Sequence, residues 1–367
     1  MLKVLWRNRM DIEKKLLPEE QRRKLPEKIE KLGFGRIFTD HMFLMEAKNG
    51  NWQNARTQPF ENLSLSPASM VFHYGQEIFE GMKAFYQTRT HGVSLFRPEM
   101  NAERLITSAK RMAMEPLPKE YFLEAIHRLI SLERHWVPTV FGSALYIRPT
   151  EIATEAAIGL RSSKEYLFYV ILSPVGPYFS EGFKPISIFV EPEYIRAVKG
   201  GTGEAKTGGN YAASLLALQN ALKAGCDQVL WLDAIEHKYV EEVGTMNQFF
   251  VIDDVIYTAP LEGTILRGVT RNSVITLARD NGYKVKEQPL SIDTIIESIN
   301  SENLTEAFGA GTAASIAPVG KLVYNGKKYV INNNQVGEIT KTIYEKLTGI
   351  QYGKIDDPYN WNVPIKE

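Results

Sequence analysis

The sequence predicts a protein of the α/β or α+β class with two domains. Its 367 residues exceed the length that one hydrophobic core usually organises. Segments with strand-like and helix-like patterns occur in both halves. A proline- and glycine-rich stretch, Ser173–Tyr178, interrupts the chain near its middle. We therefore expect an N-terminal extension over residues 1–35, a small N-terminal α/β domain over residues 36–179 and a larger C-terminal domain over residues 180–367.

The first half is predicted to begin with a surface arm and to continue as strands and helices. The first 35 residues are rich in Lys, Glu and Leu, which is typical of a solvated segment. A strand over Arg36–Ala47 should end at Asn49-Gly50, because Asn-Gly readily adopts the positive φ angles of a tight hairpin turn. The other expected elements are a short helix within Pro67–Gly75, strands at Met82–Gln87 and Val93–Arg97, amphipathic helices over Met100–Met114 and Glu120–Trp136, and buried strands at Ala144–Arg148 and Glu165–Leu172.

The second half is predicted to mix strands, hairpins and helices. A glycine-dense loop precedes a helix over Asn210–Ala224, which Gly225 should end. Asp253-Asp254 and Asn325-Gly326 are turn signals. The expected elements are strands at Ile186–Val190 and Gln228–Leu232, hairpins over Phe249–Tyr257 and Leu322–Val330, and helices over Val269–Arg279 and Val336–Leu347.

Composition excludes several classes of partner. Lys plus Arg and Asp plus Glu both total 43, so the chain has no electrostatic attraction to nucleic acid or to an anionic membrane. The longest apolar run, Tyr166–Leu172, is far shorter than the roughly 20 residues of a membrane helix. Cys226 is the single cysteine, and Asp11 and Glu13 disfavour a transit peptide. We expect a cytoplasmic protein and no bound metal.

One lysine, Lys206, lies among five glycines in the segment Gly200–Tyr211, just before a predicted helix. A glycine-rich loop before a helix is typical of phosphate binding, but the lysine here precedes a Gly-Gly pair, unlike the lysine of a P-loop. Such a lysine can instead bond covalently to a carbonyl group, provided that its pKa is lowered. From the spacing alone, a flexible surface loop with a solvated lysine is an equal alternative.

The second half also contains a candidate acid and candidate anion sites. Pyridoxal phosphate (PLP) requires an amine, an acid beside its pyridine nitrogen and a phosphate site. Glu242 could supply the acid, with an exposed acidic pair as the alternative. Free amides of Val269 and Thr270 at a helix N-terminus, or the turn at Phe308–Ala313, could hold the phosphate. Arg104 could add a cation, although a helix arginine is usually solvated.

Taken in order along the chain, these segments resemble the branched-chain aminotransferase family of fold-type IV PLP enzymes. No single segment is decisive, but the ordered set covers nearly the whole chain and is highly specific. The matching segments are Phe34–His41, Phe79–Phe85, Arg97-Pro98 with Asn101–Arg104, Leu145–Pro149, Ser173–Gly176, Gly200–Tyr211, Gln228–Leu232, Glu242–Asn247, Gly268–Arg271, Phe308–Ala313 and Ile350–Gly353.

The resemblance implies a role for each matching residue in a cofactor site between the two domains. Lys206 would bind PLP covalently, and Glu242 would pair with the pyridine nitrogen. The phosphate would be held by Arg104, Val269, Thr270 and Thr312, with Arg196 nearby and Tyr211 at the phenolic oxygen. The substrate pocket would be lined by Phe34, Tyr74, Phe79, Tyr146, Tyr178, Thr245 and Met246, and the amides of Thr312 and Ala313 would receive the substrate carboxylate.

The implied reaction is a ping-pong transamination in a homodimer. L-Leucine, L-isoleucine or L-valine and 2-oxoglutarate would give branched 2-oxo acids and L-glutamate, with Lys206 as the general base. Because burying an unpaired carboxylate is costly, the pocket must also pair the side chain of glutamate, and Tyr74, Tyr146 and Arg148 are the candidates.

Three alternatives stay open. Two are enzymes of the same fold, a D-amino-acid aminotransferase and an aminodeoxychorismate lyase. The third is a module that binds phosphate or a nucleotide without a covalent bond. In one respect the chain departs from animal members of the family, because Ala314 and Ala317 stand where those members carry a Cys-x-x-Cys redox pair.

Overall fold

The computed structural model describes residues 10–177 and 183–366. The strands are β1 Glu13–Lys14, β2 His41–Lys48, β3 Asn51–Pro59, β4 Glu77–Phe79, β5 Met82–Tyr86, β6 Val93–Phe96, β7 Ala144–Ala153, β8 Glu165–Val175, β9 Ile186–Val190, β10 Gln228–Leu232, β11 Val240–Val243, β12 Met246–Ile252, β13 Val255–Thr258, β14 Lys284–Glu287, β15 Leu304–Gly311, β16 Ser315–Tyr324, β17 Lys327–Val330 and β18 Asn362–Pro364. The helices are α1 Met70–Tyr74, α2 Pro98–Arg111, α3 Lys119–Leu132, α4 Gly208–Ala212, α5 Leu215–Lys223, α6 Val269–Asp280, α7 Ile292–Asn300 and α8 Glu338–Gln351. Short 3-10 helices occur at Glu19–Gln21, Ile29–Lys31, Arg134–Trp136 and Asn332–Asn334.

The chain forms two compact units, one of Met1–Pro177 with Asn360–Glu367 and one of Tyr178–Tyr359. The sequence-based division put every residue from 180 onward in the second domain. The final residues instead belong to the first unit, because β18 pairs antiparallel with β6 there. Among the described residues, no helix combines the length and the apolar character needed to cross a membrane.

The first unit is a mixed sheet with helices packed on one of its faces. Its strands follow the order β1-β3-β2-β8-β7-β5-β6-β18, and β4 also pairs with β7. Strand side chains alternate between faces, so Leu145 and Ile147 of β7 enter a core with Phe122 and Leu129 of α3. Tyr146, between Leu145 and Ile147, points to the opposite face of the sheet, and so does Arg148, two residues further along β7.

The N-terminal arm is packed on this sheet over part of its length, in contrast to the solvated arm expected from its composition. The Leu17 amide donates to Nε2 of the buried His41 at 2.9 Å. Arg23 Nε donates to Oδ1 of the buried Asp40, also at 2.9 Å. Leu32 is buried as well. The arm is ordered because buried polar groups of the sheet find their hydrogen-bond partners in it.

The second unit is built on strands that close into a ring. The ring runs β11-β10-β9-β16-β15-β12 and returns to β11 through the β11–β12 pairing, while β13, β14 and β17 extend it. Its interior holds Ile188, Leu230, Phe250 and Leu322, which belong to one buried cluster. A closed sheet of this kind leaves the ring strands without a free edge.

Two turns lie at the same end of this ring, and they carry predicted site residues. Asn247 at the start of β12 pairs with Ala310 near the end of β15. The β11–β12 turn and the β15–β16 turn are therefore neighbours. Met246 confirms this closeness, because a Cβ added to Gly309 would lie 2.9 Å from its Cε.

The helix predicted over Asn210–Ala224 is divided into α4 and α5. The Ser214 hydroxyl donates to the Tyr211 carbonyl at 2.7 Å, at the point where the helix is interrupted. Serine hydroxyls offer the backbone such local alternatives to helical hydrogen bonds, which explains the break.

Candidate active site

The glycine-rich segment before α4 is an ordered loop that fixes Lys206. Asn210 Nδ2 donates to the carbonyls of Thr202 and Ala205, at 2.8 and 2.9 Å. Gly203 is required for close packing, because a Cβ there would lie 2.6 Å from both the Ala197 Cβ and the Thr264 carbonyl oxygen. The equal alternative of a flexible surface loop is therefore wrong.

Lys206 is half-buried and points its amine at a tyrosine. Its Nζ donates to the Tyr211 hydroxyl at 2.5 Å, and it lies 4.8 Å from the centre of that ring. The sequence resemblance assigned both residues to the cofactor site, and the structure brings them together. An amine placed against a phenol has a proton acceptor beside it, as covalent use of a lysine requires.

Glu242 is a buried carboxylate, not a member of an exposed acidic pair. Its residue is 3% exposed, and Arg196 Nε lies 2.7 Å from its Oε2. The Arg196 guanidinium is oriented by hydrogen bonds from Nη2 to the carbonyls of Gly203, at 3.2 Å, and Thr264. Burial raises the pKa of Glu242, while the positive charges of Arg196 and, to a smaller degree, Lys206 oppose that rise.

One pocket of the second unit is shared by Arg196, Tyr211 and Glu242. It is lined by residues that include Arg196, Tyr211, Glu242, the exposed Thr245 and Leu266. Met246 is buried against Gly309 and Gly311, and its predicted place in the substrate pocket stays a prediction. Its side chain packs between the β11–β12 turn and the end of β15.

The N-terminus of α6 carries no side-chain cap. Gly268 is the N-cap residue and has no side chain to cap the first amides, which belong to Val269 and Thr270. The helix dipole adds partial positive charge at this end. Arg271 does not point outward, because its Nη2 donates to the Ala259 carbonyl at 2.8 Å and to Glu287 at 3.0 Å. That arginine anchors the helix.

The second anion site predicted from the sequence is the turn between β15 and β16. Thr312 and Ala313 form this turn and are half-buried. Ser315, directly after it, has a positive φ of 62°, which shows a sharply bent backbone. Next to the lysine, the buried hydroxyl of Thr207 has no hydrogen-bond partner among the residues that the structure describes.

The first unit gathers four of the predicted pocket residues. Phe34 and Tyr146 meet edge to face with their ring centres 4.8 Å apart. Arg148 Nη2 donates to the Tyr146 hydroxyl at 3.0 Å, and its guanidinium lies 4.7 Å from the centre of the Phe79 ring. Gly81 allows this packing, since a Cβ there would collide with the Tyr146 hydroxyl. These contacts form an aromatic cluster that contains one cation, the Arg148 guanidinium.

Two other predicted residues of this unit have their own partners. The Tyr74 hydroxyl donates to the Ile158 carbonyl. Arg104 contacts Glu80 through two hydrogen bonds, from Nε at 2.7 Å and from Nη2 at 2.8 Å. Tyr178 lies outside the described residues. The roles that the resemblance gave these three stay predictions.

Sequence reasoning missed two residues that shape these sites. Asn247 donates from Nδ2 to Glu242 Oε1 at 2.9 Å, and the two-residue spacer Gly244-Thr245 between two strands was the available signal. Lys83 on β5 lies directly opposite Tyr146, and burial lowers its pKa to about 8. A lysine inside the segment Phe79–Phe85 gave no sign of burial in the sequence.

Known proteins that are similar to this chain in sequence or in fold carry the name of one activity. The family model described as amino-transferase class IV matches residues 77–322. The branched-chain-amino-acid transaminase 1 of Bacillus subtilis (strain 168) is 51% identical over 336 residues, which cover 91% of this chain and 94% of that protein.

Solved structures agree with the sequence comparison. The branched-chain amino acid aminotransferase of Escherichia coli superposes with a TM-score of 0.72 at 26% identity, covering 89% of this chain and 99% of that one. The T.th. branched-chain amino acid aminotransferase with pyridoxamine 5'-phosphate gives a TM-score of 0.72 at 29% identity, covering 88% and 98%. The fold class and the family inferred from the sequence are confirmed. The chain belongs to the class IV aminotransferases and, among them, to the branched-chain-amino-acid aminotransferase family.

Proposed function

We propose that this protein transfers the amino group of L-leucine, L-isoleucine or L-valine to 2-oxoglutarate, using PLP. The observation that carries the proposal is that Tyr211, Glu242 and Arg196 line one pocket of the second unit, while the Lys206 amine contacts the Tyr211 hydroxyl. The relatives of this chain that are named branched-chain-amino-acid transaminase support branched-chain amino acids as the substrate class.

The residues present fit PLP. The cofactor needs an amine, an acid and a phosphate site, and the second unit offers Lys206, Glu242 and the uncapped N-terminus of α6. Gly203 and Gly268 both lie where a Cβ would collide with neighbouring protein atoms, so glycine is needed for the close packing of the two segments beside these groups. When bound, PLP supplies a carbonyl carbon for the amine and a ring that accepts electrons from the substrate α-carbon.

Lys206 has two tasks in this proposal. It would hold the cofactor covalently, and its Nζ, once free, would act as the general base that takes the α-proton of the amino acid and gives it up again. The Tyr211 hydroxyl, 2.5 Å from Nζ, keeps the amine in place and can share its proton.

Glu242 keeps a negative charge where the pyridine nitrogen would bind. Burial raises the pKa of this carboxyl, while the positive charge of Arg196 opposes the rise, and the Asn247 amide donates a hydrogen bond to Oε1. A carboxylate held in this way favours a protonated ring nitrogen. Arg196 therefore acts on the ring through Glu242, and its closeness to the phosphate stays a prediction.

We assign the phosphate to the amides of Val269 and Thr270, with Thr312 and Arg104 as further predicted ligands. The amides of Thr312 and Ala313 are proposed to receive the substrate carboxylate. Backbone N–H groups suit both anions, because they carry no charge that must be neutralised when the site is empty.

The cluster of Phe34, Phe79, Tyr146 and Arg148 suits both kinds of substrate side chain. The rings present apolar surface to a branched aliphatic group. The Arg148 guanidinium and the Tyr146 hydroxyl can pair with the side-chain carboxylate of glutamate. We propose this cluster as the side-chain pocket.

We propose that the protein is a homodimer, as the family resemblance implies. Phe72, Ile158 and Leu160 expose 61%, 72% and 83% of their surface, and the hydrogen bond from Tyr74 to the Ile158 carbonyl ties α1 to that loop. Exposed apolar side chains grouped in this way are typical of an interface. Light scattering of the wild type and of Leu160→Glu tests this, since a dimer through this surface should dissociate in the variant. A cytoplasmic location also stays a prediction.

Absorption spectroscopy tests the cofactor. A purified yellow protein whose chromophore borohydride fixes to the peptide containing Lys206 would support the proposal, and Lys206→Ala should lose all turnover. A protein that stays colourless with added PLP would contradict it and favour non-covalent phosphate binding.

A substrate panel tests the reaction. Activity with L-leucine, L-isoleucine and L-valine is expected. Preference for D-amino acids would identify a D-amino-acid aminotransferase, and formation of p-aminobenzoate from aminodeoxychorismate would identify the lyase.

A further inference from the structure

The pairing of β11 with β12 places an amide directly against the proposed acid. Glu242 and Asn247 are opposite residues of this antiparallel pair, and only Gly244-Thr245 and the pair Val243–Met246 lie between them. Opposite residues point to the same face of a sheet. Asn247 is 5% exposed, and its Nδ2 donates to Glu242 Oε1 at 2.9 Å.

The same amide also holds the segment that leads into α6. Asn247 Nδ2 donates its second hydrogen to the Leu266 carbonyl at 3.1 Å. Its Oδ1 lies against Gly268, the N-cap residue of α6, where an added Cβ would collide with it. Only glycine permits this contact. One side chain thus touches the acid and the backbone from which the anion-binding amides begin.

We infer that Asn247 is a positioning residue that fixes the Glu242 carboxylate and the N-terminus of α6 relative to each other. The inference rests on the proposed function, because it concerns the two ends of the PLP site. With Asn247 on Oε1 and Arg196 on Oε2, both carboxylate oxygens are held and the plane of the group is set. The Leu266 backbone also hydrogen-bonds this carboxylate, and Asn247 holds the carbonyl of the same residue, so the Asn247 amide helps to set the distance from that plane to the helix amides.

A purely structural role makes a different prediction. A buried asparagine that only satisfies the Leu266 carbonyl would contribute to stability, and its loss would lower the melting temperature without altering the bound cofactor. A positioning residue must change the state of the cofactor at both of its ends. The two roles are separated by observing each end independently.

NMR of the holoenzyme provides those observations. PLP labelled with ¹⁵N at the ring reports protonation of the pyridine nitrogen, and ³¹P reports the phosphate environment. Asn247→Ala should shift both resonances and raise the dissociation constant for PLP about tenfold or more, because it removes a hydrogen bond to a charged group. Glu242→Gln should shift mainly the ¹⁵N resonance. Asn281→Ala, at the other end of α6, is the matched control and should shift neither.

Asn247→Asp keeps the size of the side chain and removes both donors, so it decides the matter if the alanine variant does not fold. It too should weaken PLP binding about tenfold or more. Unchanged resonances and affinity in a folded Asn247 variant would overturn the inference. Failure of both variants to fold would also overturn it, in favour of a role in the ring of strands itself. Failure of the proposed function looks different, since the wild type would then give no bound-PLP resonances at all.

Discussion

Removing Arg196 should destabilise the protein in a way that depends on pH and on Glu242. In Arg196→Met, Glu242 loses the cation 2.7 Å from its Oε2 while staying buried. Breaking a buried ion pair from one side costs about 3–5 kcal/mol of unfolding free energy. Adding Glu242→Gln should recover a large part of that loss, because no unpaired charge is then buried.

The pH dependence follows from the pKa of Glu242. Burial already raises it above its usual value, and Arg196 is the largest influence that opposes the rise. A group whose folded-state pKa is raised binds more protons in the folded protein, so stability falls as pH rises from the unfolded pKa through the folded one. Without Arg196 this window widens toward higher pH. The loss of stability in Arg196→Met should therefore be larger at pH 8 than at pH 5.

Urea denaturation of the cofactor-free protein at both pH values measures these effects. Arg267→Met is the matched control, because Arg267 is 60% exposed and pairs with Glu204 at 3.5 Å. Such a surface pair contributes under about 1 kcal/mol. Equal losses for the two arginine variants, or no recovery when Glu242→Gln is added, would refute the reasoning.

Three further variants test other parts of the structure. Glu306 accepts hydrogen bonds from the Ile339 and Thr340 amides at the start of α8. Glu306→Gln should therefore lower the free energy of unfolding, measured by urea denaturation, by about 1.5–3 kcal/mol. The control Glu338→Gln, at an exposed residue of the same turn, should have a much smaller effect. Arg148→Leu should raise the KM for glutamate at least tenfold while leaving the KM for leucine within about twofold, in steady-state assays, and equal effects on both substrates would contradict the proposed pocket. Gly203→Ala should lower PLP occupancy, measured by absorbance of the purified protein, because its Cβ would meet the Thr264 carbonyl at 2.6 Å; full occupancy would show that the loop can move.

Local patterns in the sequence were sufficient for most of the individual elements. Ile186–Val190 and Gln228–Leu232 were predicted with the bounds that the structure has. Short runs of β-branched and aromatic residues between turn signals determine such strands without help from distant residues. The strand expected from Arg36 begins only at His41, because the preceding residues bind the N-terminal arm.

The closure of the ring could not be predicted from local patterns. It depends on which strands pair, and β9 pairs in parallel with both β10 and β16, far apart in sequence. The site shows the same limit. Lys206 and Glu242 lie in distinctive motifs, whereas the contribution of Asn247 arises from the register of two strands, and that of Arg196 from a loop folded back on Thr264.

The pairing of β18 with β6 has a consequence for synthesis on the ribosome. The edge of β6 has its partner only after the entire second unit has been translated, since β18 follows that unit in the chain. Phe96 and Arg97 likewise contact Trp361, so part of the nascent sheet stays uncovered throughout elongation. An open strand edge is a template for association with other chains. The first unit is therefore completed only at the end of translation. Until then, the unpaired edge of β6 can associate with strands of other chains.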